Sequence, residues 1–173
     1  MTHKIYITNK IVDKSARLDS HLIRRTIKKT IAAQGIDVPC EVSVLICGDA
    51  EIRAVNAEFR DIDTSTDVLS FPVFDFVAGD FDIDDGELDI DSGLLPLGDI
   101  VLNAAQLDKQ AAELGQSRER ETAYLVIHSV LHLLGYDHLD EAEQKREMRE
   151  REKEILKICG YSEENPTLRK GDL

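Results

Sequence analysis

Three histidines in the second half of the chain have a spacing that suits one metal ion. His128 and His132 are four residues apart in a helix-like stretch, so both imidazoles leave the same helix face. Gly135 allows a sharp turn after that helix, and His138 can then return toward the same point. Three neutral imidazoles suit zinc and leave a fourth position open for water, which zinc ionises near pH 7. The pattern predicts one catalytic Zn2+ per chain.

The offsets between these histidines match those of the metzincin proteases, H-E-x-x-H-x-x-G-x-x-H. Those enzymes place a glutamate directly after the first histidine, as the general base for peptide hydrolysis. Ser129 occupies that position here. A serine cannot replace a carboxylate in that role, and packing in the helix is its expected function. A metallopeptidase or another zinc hydrolase is therefore a second hypothesis, with Ser129 as the main argument against it.

Hydrophobic periodicity predicts the elements that position this site. The stretch from Ala123 to Leu134 is apolar almost all round, which is typical of a central helix. An acidic stretch at 74–97 predicts a surface loop, and the isolated His3 and His21 are predicted on the surface. The predicted strands cover 3–8, 40–47, 67–71 and 98–102. The predicted helices cover 18–33, 49–58, 103–113, 117–134 and 140–158, with Asp19 or Ser20, Asp49, Asn103 and Ser117 as caps and Met148, Ile155 and Ile158 as the apolar stripe of the last.

Length and composition indicate one globular domain at residues 1–160, followed by a frayed tail at 161–173. No run approaches the roughly 20 apolar residues that span a bilayer, and no secretory signal is evident, so we expect a cytoplasmic protein without membrane association. The three cysteines form neither a disulfide framework nor a CxxC metal motif.

The net charge of −13 alone argues against a polyanionic partner. The charge is uneven, however, because residues 1–40 hold eight basic and three acidic residues. Four of the basic residues share one face of the first predicted helix. They could contact RNA phosphates, or they could simply form a solvated helix face; they are Arg24, Arg25, Lys28 and Lys29.

Two blocks of sequence resemble the YbeY family. The segment HSVLHLLGYDH at 128–138 is similar to the family pattern H-G-x-L-H-L-x-G-Y-D-H, with Ser129 in place of the glycine. The segment NAEFRDIDTSTDVLSFP at 56–72 is similar to N-x-x-[YF]-R…T-D-V-L-S-F-P, with Ser65 where a proline is usual. A weaker match is LGDI at 97–100. The departures affect no proposed ligand.

This resemblance implies a metal-dependent, single-strand endoribonuclease in ribosomal RNA maturation, at the 3′ end of the small-subunit RNA, and in ribosome quality control. It implies a zincin-like α+β fold, with a four-stranded mixed sheet, about five helices and the zinc ligands on a central helix. It assigns a catalytic role to Arg60, whose guanidinium could stabilise charge on a phosphate. Its implied partners are the small ribosomal subunit and a ribosome-associated GTPase.

Several points stay open at the level of sequence. Asp137 could orient an imidazole or cap the turn, and Asp67 is a weak candidate for a general base against a turn or strand-edge role. The nucleophile could be water or a ribose 2′-hydroxyl. A third hypothesis is a non-catalytic ribosome-assembly factor with a structural metal, which would require a fourth protein ligand.

Overall fold

The computed structural model of the chain describes residues 2–137 and 142–161. Four strands and five α-helices lie in this part of the chain. The strands are β1 Lys4–Asn9, β2 Cys40–Cys47, β3 Val68–Pro72 and β4 Leu95–Asn103. The helices are α1 Ser20–Ala33, α2 Asp49–Arg60, α3 Ala104–Glu113, α4 Arg118–Leu133 and α5 Ala142–Ile158. None of the described helices is long and apolar enough to cross a membrane.

The strands form one mixed sheet in the order β1-β2-β4-β3. The first three run parallel, and β3 pairs antiparallel with β4 at one edge. The crossovers between the parallel strands contain helices, which is the usual way to join such strands. The predicted α+β class with a four-stranded mixed sheet and about five helices is confirmed.

Helix α4 lies at the centre of the larger core. It packs against α1, α3, α5 and the β3–β4 side of the sheet. Its apolar side chains, such as Ile127, Val130 and Leu131, are fully buried, and each contributes roughly 1.5–3 kcal/mol of transfer free energy. A smaller cluster, formed where α2 meets the sheet, consists of Cys47, Ile52, Leu69 and Val101. The predicted central position of the helix at 117–134 is therefore correct.

Side-chain caps fix the start of three helices as predicted. Asp19, Asn103 and Ser117 accept hydrogen bonds from backbone N–H groups in the first turns of α1, α3 and α4. The prediction that Asp49 caps α2 is wrong, because the N-cap is Gly48. The Asp49 carboxylate instead accepts hydrogen bonds from Asn103 and Ser65, and these bonds hold its pKa below the usual value.

The acidic segment before β4 is more deeply packed than a surface loop. Phe74, Phe76 and Phe81 are half-buried against the main core, with ring centroids 5.5 and 6.0 Å apart along the series. The segment also contains a short 3-10 turn at Asp85–Glu87, and β4 already begins at Leu95. The prediction of a loop over 74–97 missed these aromatic anchors, because the acidic residues between them hide the apolar pattern.

Two further predictions about burial need correction, one for His3 and one for the last helix. His3 is half-buried, and its Nδ1 accepts a hydrogen bond from the Cys40 backbone N–H at 3.0 Å. Burial lowers the pKa of His3, with the charge of Lys28 acting in the same direction. Ile158, expected in the apolar stripe of α5, is 46% exposed, and Leu156 is buried instead.

Gly135 ends α4 in a conformation that also brings another segment close. Its φ is +85°, in the left-handed region that glycine adopts without strain. A Cβ atom at this position would lie 2.0 Å from the carbonyl oxygen of Phe76. Gly135 therefore both turns the chain and lets the segment around Phe76 lie against the end of the central helix.

Substitution of Gly135 by alanine should destabilise the protein more than the same change at Gly35. Both glycines follow a helix in the left-handed region, at +85° and +71°. A Cβ at Gly35 meets nothing within 4 Å, so Gly35→Ala should cost only about 1–2 kcal/mol of backbone strain. Gly135→Ala adds the collision with Phe76, and we expect about 3 kcal/mol or more in urea unfolding. Equal costs at the two positions would contradict the close packing at Gly135.

Candidate metal centre

After its first turn, helix α4 is buried on every side except one narrow stripe. From Glu121 to Leu134, the residues that retain partial exposure are Tyr124, His128 and His132, while the others are buried. These three are four residues apart, so they follow one line along the helix surface. The stripe opens the central helix to solvent at the two histidines that the sequence predicted as metal ligands.

The two imidazoles converge on a common point. Their Nε2 atoms lie 3.0 Å apart, and the ring planes meet at 81°. Two nitrogen ligands of tetrahedral zinc lie roughly 3.3 Å apart, given Zn–N distances of about 2.0–2.1 Å. The separation and the donor type therefore fit two ligands of one metal ion with little rearrangement.

The remaining members of the predicted site are less fully defined. His138 lies outside the described residues. Asp137 follows the Gly135 turn and is exposed. Within residues 2–137 and 142–161, no group of three or more histidine, cysteine or carboxylate side chains is arranged to hold a metal ion. The described part of the chain thus supplies two candidate ligands, and His138 as a third ligand stays a prediction.

A buried carboxylate contacts His128 at the ring nitrogen that does not face His132. Glu152 of α5 lies 2.6 Å from Nδ1 of His128, and its side chain is 7% exposed. It contacts the nitrogen that points away from the convergence point, so it is not a further ligand there. Sequence reasoning missed Glu152. The available signal was an acidic residue on the apolar stripe of α5, between Met148 and Ile155.

Ser129 is fully buried, and its hydroxyl has no hydrogen-bond partner within the described part of the chain. A side chain with 0% exposure can neither contact a substrate nor deliver a proton to one. This burial agrees with the predicted packing role and leaves the metzincin-like spacing without its general base. The arrangement therefore gives no support to peptide hydrolysis by that mechanism.

Arg60, at the end of α2, reaches the free edge of the sheet. Its Nη2 donates to the Ser70 carbonyl oxygen at 2.9 Å, and its guanidinium carbon lies 5.3 Å from the centroid of the Phe71 ring. Asp67 and Val73, which flank β3, bond to β4. The odd-numbered residues therefore face β4, and the carbonyl of the even-numbered Ser70 faces outward. These two contacts hold the planar guanidinium in place while the residue remains exposed.

Much of the block 56–72 is scaffold for Arg60 and β3. The Nδ2 of buried Asn56 donates to the Thr64 carbonyl, and that of Asn103 donates to Asp49, Ser65 and the Thr66 carbonyl. The Asp67 carboxylate accepts from the Val68 N–H, the Thr66 hydroxyl and the Gln110 amide. Because its carboxylate already accepts these hydrogen bonds, Asp67 fits a turn or strand-edge role better than that of a general base.

The basic face of α1 has mixed surroundings. Arg25 and Lys28 are exposed, whereas Arg24 and Lys29 are half-buried. The Lys29 ammonium donates to the Ile158 carbonyl, at the end of α5, at 2.9 Å. Lys29 therefore caps another helix, and the four residues do not form one uniform solvated row.

A mixed sheet with an antiparallel edge strand, packed around a buried central helix, defines an α+β protein whose central helix presents two histidines four residues apart. Comparisons with known proteins give the family. The family described as Endoribonuclease YbeY matches residues 6–160. The chain belongs to this family, whose members are named as enzymes that cut RNA.

Relatives in this family cover nearly the whole chain. An endoribonuclease YbeY of Roseiflexus sp. (strain RS-1) is 40% identical over 150 residues, covering 87% of this chain and 89% of the relative. One of Clostridium botulinum (strain Eklund 17B / Type B) is 42% identical over 169 residues, covering 88% and 95%. The enzyme of Caldicellulosiruptor bescii is 41% identical over 162 residues, covering 92% and 99%. The solution structure of TM1509 from Thermotoga maritima aligns with a TM-score of 0.55 and 26% identity, over 95% of this chain and 99% of that one.

Zinc should bind the wild-type protein and stabilise it, whereas His132→Ala should lose both effects. A ligand at 100 times its Kd stabilises the folded state by about 2.7 kcal/mol. For a domain of this size, we expect the Tm to rise by roughly 5–10 °C in a thermal melt. His21→Ala is the control, because His21 is exposed on α1. Zinc stabilisation of His132→Ala equal to that of the wild type would refute a shared metal site.

Proposed function

We propose that this protein is a zinc-dependent endoribonuclease that cuts single-stranded ribosomal RNA. The observation that carries the proposal is the 3.0 Å convergence of the His128 and His132 Nε2 atoms on the one open stripe of a buried helix. The chain's membership of an endoribonuclease family supplies the substrate class. His138, in the same motif, would provide the third nitrogen.

The metal, when bound, supplies a Lewis acid and lowers the pKa of a coordinated nucleophile. Other parts of the reaction fall to the chain's own residues. Arg60 is the candidate for binding the phosphate, since the Ser70 carbonyl uses only one of its five N–H donors. A guanidinium held in this way can stabilise negative charge that develops on a phosphate in the transition state. Asp137, which follows the turn, is a candidate for orienting an imidazole.

The cellular role follows from the family resemblance. We propose that the enzyme acts in the cytoplasm on the 3′ end of small-subunit ribosomal RNA and in ribosome quality control. Its proposed partners are the small ribosomal subunit and a ribosome-associated GTPase. The exposed Arg25 and Lys28 of α1, with Arg24 beside them, are candidates for additional contacts to RNA phosphates. Lys29 would contribute less, because it already binds the Ile158 carbonyl.

Arg60→Ala should strongly reduce RNA cleavage without affecting zinc binding. We expect cleavage of a defined single-stranded RNA by zinc-loaded protein to fall about 100-fold or more, by analogy with removal of one donor to a transition-state oxyanion. Arg60→Lys should recover little, because an ammonium cannot reproduce the planar fork. The matched control is Arg53→Ala, on the same helix, where the arginine forms an exposed pair with Asp63.

Four measurements on these proteins test the nuclease proposal and the role of Arg60. Zinc content and thermal stability should be the same in wild type, Arg60→Ala and Arg53→Ala. An Arg60→Ala variant that cleaves RNA at the wild-type rate would overturn the catalytic assignment of Arg60. Zinc-loaded wild type that leaves RNA intact would overturn the nuclease proposal for this chain. Cleavage of RNA with 2′-O-methyl groups throughout would exclude the ribose hydroxyl as the attacking group, since methylation removes that nucleophile.

A further inference from the structure

A buried carboxylate on α5 requires an explanation that the packing of the helix does not provide. Glu152 is 5% exposed and lies among the buried apolar residues Met148, Ile155 and Leu156. A leucine or methionine would complete this stripe with less desolvation, since burial of a charge is costly unless the charge is paired and hydrogen-bonded. The identity of residue 152 is therefore informative about what it contacts.

Its contact is with one of the two convergent imidazoles. The Glu152 Oε1 atom lies 2.6 Å from Nδ1 of His128, across the contact between α5 and α4. A separation this short is typical of a charge-assisted hydrogen bond. With Glu152 ionised, the carboxylate can only accept, and Nδ1 of His128 then carries the proton. Neutral His128 then presents an unprotonated Nε2, which is the form that a metal ion requires.

The ring of His128 is also fixed by its neighbours. Tyr124 stacks on it with centroids 5.9 Å apart and planes at 28°, and His132 meets it edge-on at 4.5 Å. Glu152 adds a directional hydrogen bond at Nδ1, the ring nitrogen that does not take part in the 3.0 Å contact with His132. The tyrosine and the neighbouring histidine restrict the tilt of the ring, while the carboxylate determines which nitrogen points toward the convergence point.

We propose that Glu152 is a positioning residue for the metal centre, which sets the tautomer and orientation of His128 and thereby the affinity for zinc. The inference rests on the metal site of the proposed function. It has a structural corollary, because the hydrogen bond joins α5 to α4 at a ligand. Zinc binding and the docking of α5 should stabilise each other, since a ligand that prefers the docked form shifts the equilibrium toward it.

The alternative is that Glu152 only ties two helices together. The two readings differ in what they predict for folded, metal-free protein. A simple tether affects thermal stability and leaves the intrinsic zinc affinity of the folded state unchanged. A positioning residue affects zinc affinity measured well below the melting temperature, whether or not stability changes.

The test compares Glu152→Met, Glu152→Gln and the control Glu150→Gln, which changes an exposed glutamate on the same helix. The readouts are zinc Kd by competition with a chromophoric chelator, the visible spectrum of the cobalt-substituted protein, and the Tm without metal. Methionine matches the volume but cannot accept the Nδ1 proton, so we expect zinc affinity to fall about 10- to 100-fold. Glutamine retains an acceptor but loses the negative charge, so Glu152→Gln should lose about three- to tenfold, and Glu150→Gln should stay within about twofold of the wild type.

The cobalt spectrum provides a signature that a tether would not change. A misoriented imidazole should reduce or shift the bands of the tetrahedral ion in Glu152→Met. Wild-type zinc affinity and a wild-type cobalt spectrum in Glu152→Met, with only the Tm lowered, would overturn the proposal. If Glu152→Met does not fold, Glu152→Gln decides, since zinc affinity equal to that of Glu150→Gln would likewise overturn it. None of these readouts uses RNA, so a failure of the nuclease proposal is distinguishable from a failure of this one.

Discussion

The burial of α4 is the constraint on which the rest of the structure depends. A helix that is apolar on nearly all sides must be enclosed, and α1, α3, α5 and the sheet enclose it. That enclosure leaves one line of partial exposure, at Tyr124, His128 and His132. The two histidines thus lie at the one place on this part of the helix that solvent can reach. The rigidity of the core then fixes the two imidazoles, which a mobile loop could not do.

The sequence was sufficient for the elements whose signals are local. Strand Cys40–Cys47 was predicted to the residue, and the caps Asp19, Asn103 and Ser117 were correct, because each depends on a short polar side chain before an apolar run. Asp49 carries the same signal but does not cap α2, since its carboxylate bonds to Asn103 and Ser65, which are distant in the sequence. Long-range partners of this kind are not visible in local patterns.

The candidate site shows the same division between local and long-range information. The spacing of His128 and His132 was enough to predict that their rings share a helix face, and the 3.0 Å separation confirms it. Glu152 escaped prediction, because its partner lies 24 residues away and most residues of its helix are charged. The acidic segment hid Phe74, Phe76 and Phe81 for a similar reason. An isolated polar residue on an apolar stripe, or an isolated aromatic among acids, was the signal in each case.

The contact between Arg60 and the outer edge of β3 has a consequence for solubility. An edge strand offers unpaired N–H and C=O groups, to which a strand of another molecule can add. Here the outward carbonyl of Ser70 is already bonded to the guanidinium, and Pro72, on the same edge, has no N–H to donate. A charged side chain and a proline therefore blunt the sheet at this edge. The residue proposed to bind the phosphate thus also shields an edge carbonyl from edge-to-edge pairing, so its loss would weaken this protection as well.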